Sequence, residues 1–177
     1  MKKWIITLVC AAIGIIVFSR FYINVNAKYE NITINRVVDQ AKNAKFSFKI
    51  LDKNFLDKEE IIEKYDTSMW ADGYGDDYKA VVIDVEITNI TGEEQLLETY
   101  SYELSTLGWS NGLCSPLFQQ MNEEDSVLTL SPGESVTLSL PFFLLQMHFS
   151  DYYWNNPEEI EFEYIISKYP VRTEIII

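Results

Sequence analysis

Alternation of apolar and polar residues recurs along most of the chain after residue 45, and a period of two predicts strands. The clearest case is Tyr78–Asn89, in which Val81, Ile83, Val85 and Ile87 fall on one face of the strand. Shorter alternating segments are Phe46–Ile50, Tyr100–Leu104, Val136–Leu140 and Ile160–Ile166. Further strands are predicted at Leu113–Phe118, Val127–Leu130 and Val171–Ile177, the last of them rich in β-branched residues. Turn signals separate them, notably Asn111-Gly112 and Ser131-Pro132-Gly133-Glu134. Seven or eight strands at such short spacing predict an all-β, antiparallel sandwich.

One short helix interrupts this pattern. Asp57 is a suitable N-cap, and Glu60 three residues later completes a capping box. Leu56 and Ile61 are placed for the apolar contact that often accompanies such a cap. We therefore predict a helix of about two turns over Lys58–Tyr65, inserted between strands and stabilised by packing on the domain.

The first 23 residues differ sharply from the rest. Lys2 and Lys3 are followed by the apolar run Trp4–Phe18, which is the pattern of an export signal. If the helix continues to Ile23, its 20 residues suffice to cross roughly 30 Å of hydrocarbon, as an uncleaved anchor with the N-terminus in the cytoplasm. This is the interpretation we favour, and it makes the protein single-pass with its C-terminal domain outside the cell.

Two alternatives concern processing of this segment. Cleavage after Ala27 would release a secreted protein that begins at Lys28. Lipidation at Cys10 is disfavoured, because the preceding residue is the branched Val9 and only nine residues come before the cysteine. The sequence thus predicts residues 1–23 as a signal anchor or signal peptide, 24–44 as a polar stalk with a strand near Ile32–Val38, and 45–177 as the domain.

The charge of the chain is strongly acidic. All 27 Asp and Glu residues follow residue 24, where only 11 Lys and Arg residues accompany them, so the outer part has a formal charge of −16. Such a surface repels phosphate backbones, which excludes nucleic acid as a partner. Cys114 is the only cysteine beyond the apolar run, so a disulfide framework is excluded as well.

Two segments carry a resemblance to known proteins. AVVIDVEITNITGEEQ (residues 80–95) and LSPGESVTLSLPF (residues 130–142) resemble exported bacterial domains with a telokin-like, immunoglobulin-type sandwich. Those families are largely of unknown function, are common in Gram-positive bacteria and often follow an anchor or a lipoprotein signal. The resemblance implies an immunoglobulin-like β-sandwich with an extracellular accessory or binding role, and it transfers no catalytic residue.

One motif is typical of hydrolases. Gly108-Trp109-Ser110-Asn111-Gly112 fits G-x-S-x-G, and Asp125 and His148 follow in the order of α/β-hydrolases. That chemistry needs a strained turn between a strand and a helix on a parallel sheet, whereas this chain lacks strand–helix alternation and Asn111-Gly112 is itself a hairpin signal. A serine hydrolase using Ser110 is therefore a remote alternative, and no enzyme is expected.

Metal and cofactor sites are not expected either. Asp72, Asp76 and Asp77 lie in a glycine-containing loop, but their spacing does not match a calcium loop and a solvated acidic loop is favoured. His148 and Cys114 lack the ligand spacing of a zinc site.

Aromatic residues in predicted loops are the best functional signal. Those that could contact a ligand are Trp70, Trp109, Tyr152, Tyr153 and Trp154. Aromatics at the ends of a sandwich either bind a protein or glycan partner or cover the core. We predict a non-enzymatic binding or accessory protein of the cell envelope, with a structural or immunity subunit of an envelope complex as the alternative.

Overall fold

The computed structural model describes residues 14–16, 18–19, 33–68 and 77–177. The chain divides into two units, residues 1–31 and 32–177. Within the described residues, no helix combines the length and apolar character needed to span a membrane. Most of the predicted anchor lies outside the described residues.

The second unit is mostly β-structure, with eleven strands and three short α-helices in residues 33–68 and 77–177. The strands are β1 Thr33–Val38, β2 Gln40–Lys42, β3 Phe46–Leu56, β4 Tyr78–Asn89, β5 Gln95–Glu98, β6 Glu103–Thr106, β7 Trp109–Gly112, β8 Val127–Leu130, β9 Ser135–Leu145, β10 Glu163–Ser167 and β11 Val171–Ile176. The helices are α1 Lys58–Lys64, α2 Ser115–Asn122 and α3 Asp151–Asn155. Strand β4 has the bounds predicted from its alternation.

Two sheets form a β-sandwich. One has the order β1-β11-β10-β6-β7 and the other β2-β3-β4-β9, while β5 and β8 form a separate pair. The apolar faces of the two sheets share one core, in which Phe48, Phe142 and Tyr164 are fully or almost fully buried. The prediction of a wholly antiparallel fold was wrong at one edge, because β1 runs parallel to β11.

A second, smaller core lies on the other face of the four-stranded sheet. Ala80, Val82 and Phe143 meet Ile61 of α1 and Leu117 of α2 there. The predicted capping box of α1 is confirmed: Glu60 N donates to Asp57 Oδ1 at 3.0 Å, and Asp57 N donates to Glu60 Oε2 at 3.1 Å. The two helices therefore cover a sheet face that would otherwise expose apolar residues.

Two predictions within residues 107–118 were wrong. Residues 115–118 begin α2 instead of extending a strand, and Pro116 in the first turn of this helix fits a position where no backbone N–H is needed. The hairpin turn lies at Leu107-Gly108, with φ values of 46° and 84°, and β7 includes Asn111-Gly112. Two consecutive positive φ values are those of the two-residue hairpin turn whose twist matches the flanking strands.

The folded unit begins before Lys45. Strands β1 and β2, in the segment predicted to be a polar stalk, lie in the two sheets. Arg36 of β1 joins Glu174 of β11 (Nε to Oε2, 2.9 Å) and Glu163 of β10 (Nη2 to Oε1, 2.7 Å). The Glu174 side chain is only 1% exposed and also accepts from Arg172. The sandwich thus includes residues from 33 onward.

Candidate functional site

Four aromatic rings form two contacting pairs, one between β7 and the segment that follows β9, and the other on α3. Trp109 on β7 packs against Phe149, with 5.6 Å between ring centroids. Tyr152 and Tyr153 on α3 meet edge to face at 5.4 Å. Tyr152 is 57% exposed, while Trp109, Phe149 and Tyr153 are half-buried against the core.

Trp154 does not belong to this surface. Its side chain is 6% exposed and lies in the main core. The Lys79 ammonium group lies 5.0 Å from its ring and donates to the Trp154 carbonyl at 2.9 Å. Trp154 therefore stabilises the core instead of offering a face to a ligand. Trp70, the remaining aromatic candidate, lies outside the described residues.

The turn between β6 and β7 separates two clefts. Leu107 at its tip is 69% exposed and lines both of them. The hairpin cleft, of about 730 Å³, is lined by residues 107–111, Leu145 and His148. The acidic cleft, of about 260 Å³, is lined by Thr106, Leu107, Tyr153, Glu159, Ile160, Glu161 and Glu163. Leu107, Trp109, Phe149, Tyr152 and Tyr153 together are called the aromatic end below.

Negative charge surrounds this apolar surface. Glu158, Glu159 and Glu161 are exposed, and within the described part of the chain none of them has an ion-pair partner. Tyr152 donates a hydrogen bond to the Glu159 carboxylate, and this bond raises the pKa of the tyrosine hydroxyl. The rim of this apolar surface therefore carries unpaired negative charge on Glu158, Glu159 and Glu161.

The residues of the hydrolase alternative are only partly brought together. Ser110 and His148 line the hairpin cleft, but Asp125 lines a different cleft with Gln119, Glu123 and Glu124. The positive φ values in the hairpin belong to Leu107 and Gly108, so Ser110 lies on an ordinary edge strand. A nucleophile elbow requires strain at the serine itself, together with an acid that orients the histidine.

The candidate metal ligands are also dispersed. Asp72 and Asp76 of the predicted acidic loop lie outside the described residues, and Cys114 is buried in the second core. In the described part of the chain, no three His, Cys, Asp or Glu side chains gather closely enough to hold a metal ion.

Two residues of the aromatic end were missed from the sequence. Leu107 precedes a glycine, and this pair in front of Trp109 was the available signal for a turn that exposes an apolar side chain. Phe149 follows His148 in an apolar stretch that gives no indication of its contact with Trp109. The contact joins two elements 40 residues apart in the chain.

Residues 24–173 match a family described as a domain of unknown function, DUF5028. The chain belongs to the DUF5028 family. This match covers β1 to β10 and the first half of β11, so the family extends over almost the whole sandwich. A search among curated proteins gives no match to this DUF5028 chain.

Solved structures similar to this DUF5028 protein are uncharacterised bacterial proteins. A candidate lipoprotein from Bacillus subtilis superposes with a TM-score of 0.55 at 13% identity, over 80% of this chain and 38% of that one. A functionally unknown protein from Listeria monocytogenes gives 0.49 at 11%, over 70% of this chain and 67% of that one. An uncharacterised β-sandwich protein from Clostridium difficile gives 0.47 at 10%, over 86% and 99%.

The similarity to the Bacillus protein concerns the fold, since sequence identity is low. The DUF5028 chain spans only 38% of the length of that structure.

Proposed function

We propose that this protein is a non-enzymatic binding protein of the cell envelope that recognises a protein partner through its aromatic end. The observation that carries the proposal is the position of Leu107, exposed between two clefts and flanked by the Trp109–Phe149 and Tyr152–Tyr153 pairs. Apolar and aromatic side chains at the centre of a patch, with a polar rim, are the usual anatomy of a protein interface.

A protein partner is favoured over a glycan by the exposure of the rings. Of the four rings in the aromatic end, only Tyr152 is exposed, and it meets Tyr153 edge to face. A sugar ring stacks on an open aromatic face, whereas Leu107 and the two clefts offer a knob and depressions for side chains.

Cross-linking from the loop tip in intact cells tests this function. A photo-reactive amino acid at position 107 of the full chain is expected to give one discrete protein adduct, identified by mass spectrometry. The same amino acid at position 100 is the matched control, because Tyr100 is 50% exposed but lies outside the aromatic end. Adding Tyr152→Ala is expected to lower the yield from position 107 severalfold, since it removes the most exposed ring beside the clefts.

Equal adducts from positions 107 and 100, or none from 107, would contradict the proposed function. An adduct with polysaccharide alone would contradict the choice of a protein partner.

We also propose that the N-terminal segment anchors the protein in the cell membrane with the sandwich outside. Lys2 and Lys3 before the apolar run support this orientation. The resemblance of residues 80–95 and 130–142 to exported domains of Gram-positive bacteria supports an envelope location. It also supports an origin in a Gram-positive bacterium. The Bacillus protein of similar fold is itself described as a candidate lipoprotein.

Fractionation of cells that express the chain with a C-terminal tag checks the location. We expect a membrane-bound species whose intact mass includes residues 1–27, because an uncleaved apolar helix holds the protein in the bilayer. A soluble species in the medium that begins at Lys28 would show instead that the segment is a cleaved signal.

The immunoglobulin type of the sandwich is part of the same proposal. Strands β4 and β9 are neighbours in one sheet, while β6, β10 and β11 belong to the other. In an immunoglobulin sandwich, strands B and E lie in one sheet and strands C, F and G lie in the other, which is the same division. The edge strand β7 then corresponds to the additional strand C′ of variable-type domains.

A further inference from the structure

We propose that the partner binds as an extended, basic and apolar peptide segment that adds a strand to the outer edge of β7. This inference rests on the proposed function and specifies the kind of partner that the aromatic end accepts. In strand addition, main-chain hydrogen bonds supply affinity and pockets for alternate side chains supply specificity.

The hairpin directs a donor and an acceptor outward from β7. Thr106 pairs with Trp109 across the two-residue turn, and Ser105 pairs with Ser110. In an antiparallel ladder, hydrogen-bonded and non-hydrogen-bonded pairs alternate, and the pair that closes a two-residue turn is hydrogen-bonded. The backbone N–H and C=O of Ser110 therefore point away from β6, toward the outer edge.

The same alternation directs Gly112 outward, but its N–H already donates to a local acceptor. Gly112 N donates to the side-chain oxygen of Asn111 at 2.9 Å. The outward groups that a new strand can use are thus the N–H and C=O of Ser110 and the C=O of Gly112.

The outer edge of β9, in the other sheet, is covered by hydrogen-bond partners up to the point where the hairpin cleft begins. Ser139 of β9 exchanges hydrogen bonds with the Asn122 side chain, at 2.8 and 2.9 Å. The Pro141 carbonyl accepts from Cys114 N at 2.9 Å, and the Phe143 carbonyl accepts from Asn111 Nδ2 at 3.0 Å. The next residue in this outward series is Leu145, which lines the hairpin cleft.

The cleft therefore lies between the outward groups of β7 and the last outward residue of β9. Its volume of about 730 Å³ falls within the roughly 300–1,000 Å³ of ligand pockets. Trp109 and Leu145 supply apolar walls, and Leu107 connects the hairpin cleft with the acidic cleft. A strand on β7 that continues past Leu107 would bring basic side chains to Glu159 and Glu161, which is the charge complementarity that selects this occupant.

A peptide of alternating lysine and valine, ten residues long with blocked ends, is the probe for this site. We expect it to bind the purified full-length chain and to shift the backbone amide signals of Leu107, Ser110 and Asn111. The matched peptide carries an N-methyl group on every residue, so its charge and side chains are kept while all of its backbone donors are lost. We expect the N-methylated peptide to bind at least about tenfold more weakly.

Ser110→Pro tests the protein side of the same hydrogen bonds. Proline removes the outward N–H of residue 110 and leaves the β6–β7 ladder bonds in place, as is tolerated on edge strands. We expect Ser110→Pro to bind about tenfold more weakly than Ser110→Ala, which loses the same hydroxyl group but keeps the backbone donor. The amide spectrum away from the hairpin shows whether the proline variant is folded, and the N-methylated peptide provides the same test without any substitution.

Several outcomes would overturn strand addition. One is equal binding of the two peptides, and another is the absence of any shift at Ser110. Tighter binding of an alternating glutamate–valine peptide would contradict the basic character of the partner. Self-association that shifts Ser110 without any peptide would assign the edge to a second copy of the chain. If any of these occurred while cross-linking from position 107 still gave its adduct, the proposed function would stand and only the binding mode would be wrong.

Discussion

Replacement of Asn122 with alanine is expected to lower the free energy of unfolding by about 2–3 kcal/mol. The Asn122 amide donates to the carbonyls of Phe118 and Ser139, both at 2.9 Å, and its oxygen accepts from Ser139 N at 2.8 Å. Alanine leaves the N–H and C=O of Ser139 without these partners. Each partly buried backbone group that loses its hydrogen bond costs on the order of 1 kcal/mol or more.

Chemical denaturation of the variant and the unchanged chain measures this effect. Gln119→Ala is the control, because Gln119 lies on the same helix but is exposed and its amide has only a 3.3 Å contact with Asp125. We expect the control to change stability by less than about 0.5 kcal/mol. A similarly small loss for Asn122→Ala would show that water replaces the side chain at this edge.

The same substitution has a consequence for solubility. Asn122 covers backbone groups of β9, which is the last strand of the four-stranded sheet. An uncovered edge strand is a template for pairing with another chain. Increased aggregation of Asn122→Ala at neutral pH is therefore part of the expected result.

Raising the pH above 10 is expected to destabilise the sandwich through two core tyrosines. Burial raises the pKa of Tyr102 from 10.0 to about 12, and burial also raises the pKa of Tyr164. Both side chains are neutral in the fold at a pH at which they ionise in the unfolded chain. Their contribution is complete below pH 10 and is lost as the pH rises toward 12, by roughly 3 kcal/mol for Tyr102.

Tyr164→Phe provides the matched variant for this titration. The Tyr164 hydroxyl is buried, and in the described part of the chain it has no hydrogen-bond partner. Its removal is expected to leave stability at pH 7 unchanged or to increase it by up to about 1 kcal/mol. Stability curves from pH 8 to 12 should then show a smaller alkaline loss for the variant. Parallel curves for the two proteins would show that Tyr164 ionises as easily in the fold as in the unfolded chain.

Local sequence signals were sufficient where one element decides its own structure. The capping box at Asp57 and Glu60 uses only neighbours in the chain, and it was found as predicted. The alternation in Tyr78–Asn89 gave the bounds of β4, because a strand paired on both sides keeps one face in the core along its whole length. Such signals need no knowledge of distant residues.

Local sequence signals predicted the wrong secondary structure where one segment can form either of two local structures. Asn111-Gly112 is a strong hairpin signal, yet the turn occurs at Leu107-Gly108 and Asn111 uses its amide to reach the Phe143 carbonyl of β9. Leu113–Phe118 was predicted to be a strand, but Ser115–Asn122 forms a helix in which Leu117 packs in the second core and Phe118 in the main core. In both cases contacts with β9, distant in sequence, decide the outcome.

The candidate site also contains some features that the local sequence predicted and others that depend on distant contacts. Trp109, Tyr152 and Tyr153 were predicted to lie in loops, and the structure places Trp109 on β7 and the two tyrosines on α3, all three at the aromatic end. The sequence could not separate them from Trp154, which has the same local character but is buried beneath Lys79. Exposure depends on what packs against a ring, and this is settled only when the sheets meet.

The sequence by itself determined the β-rich class, the short capped helix, the acidic charge and the apolar N-terminal run, because each follows from the composition or period of one continuous segment. The tertiary structure alone decided that β1 joins the sandwich beside β11, that α2 and Asn122 cover the edge of β9, and that Leu107 stands between two clefts. These features arise from hydrogen bonds and packing between residues far apart in the chain, and no local pattern encodes such pairings.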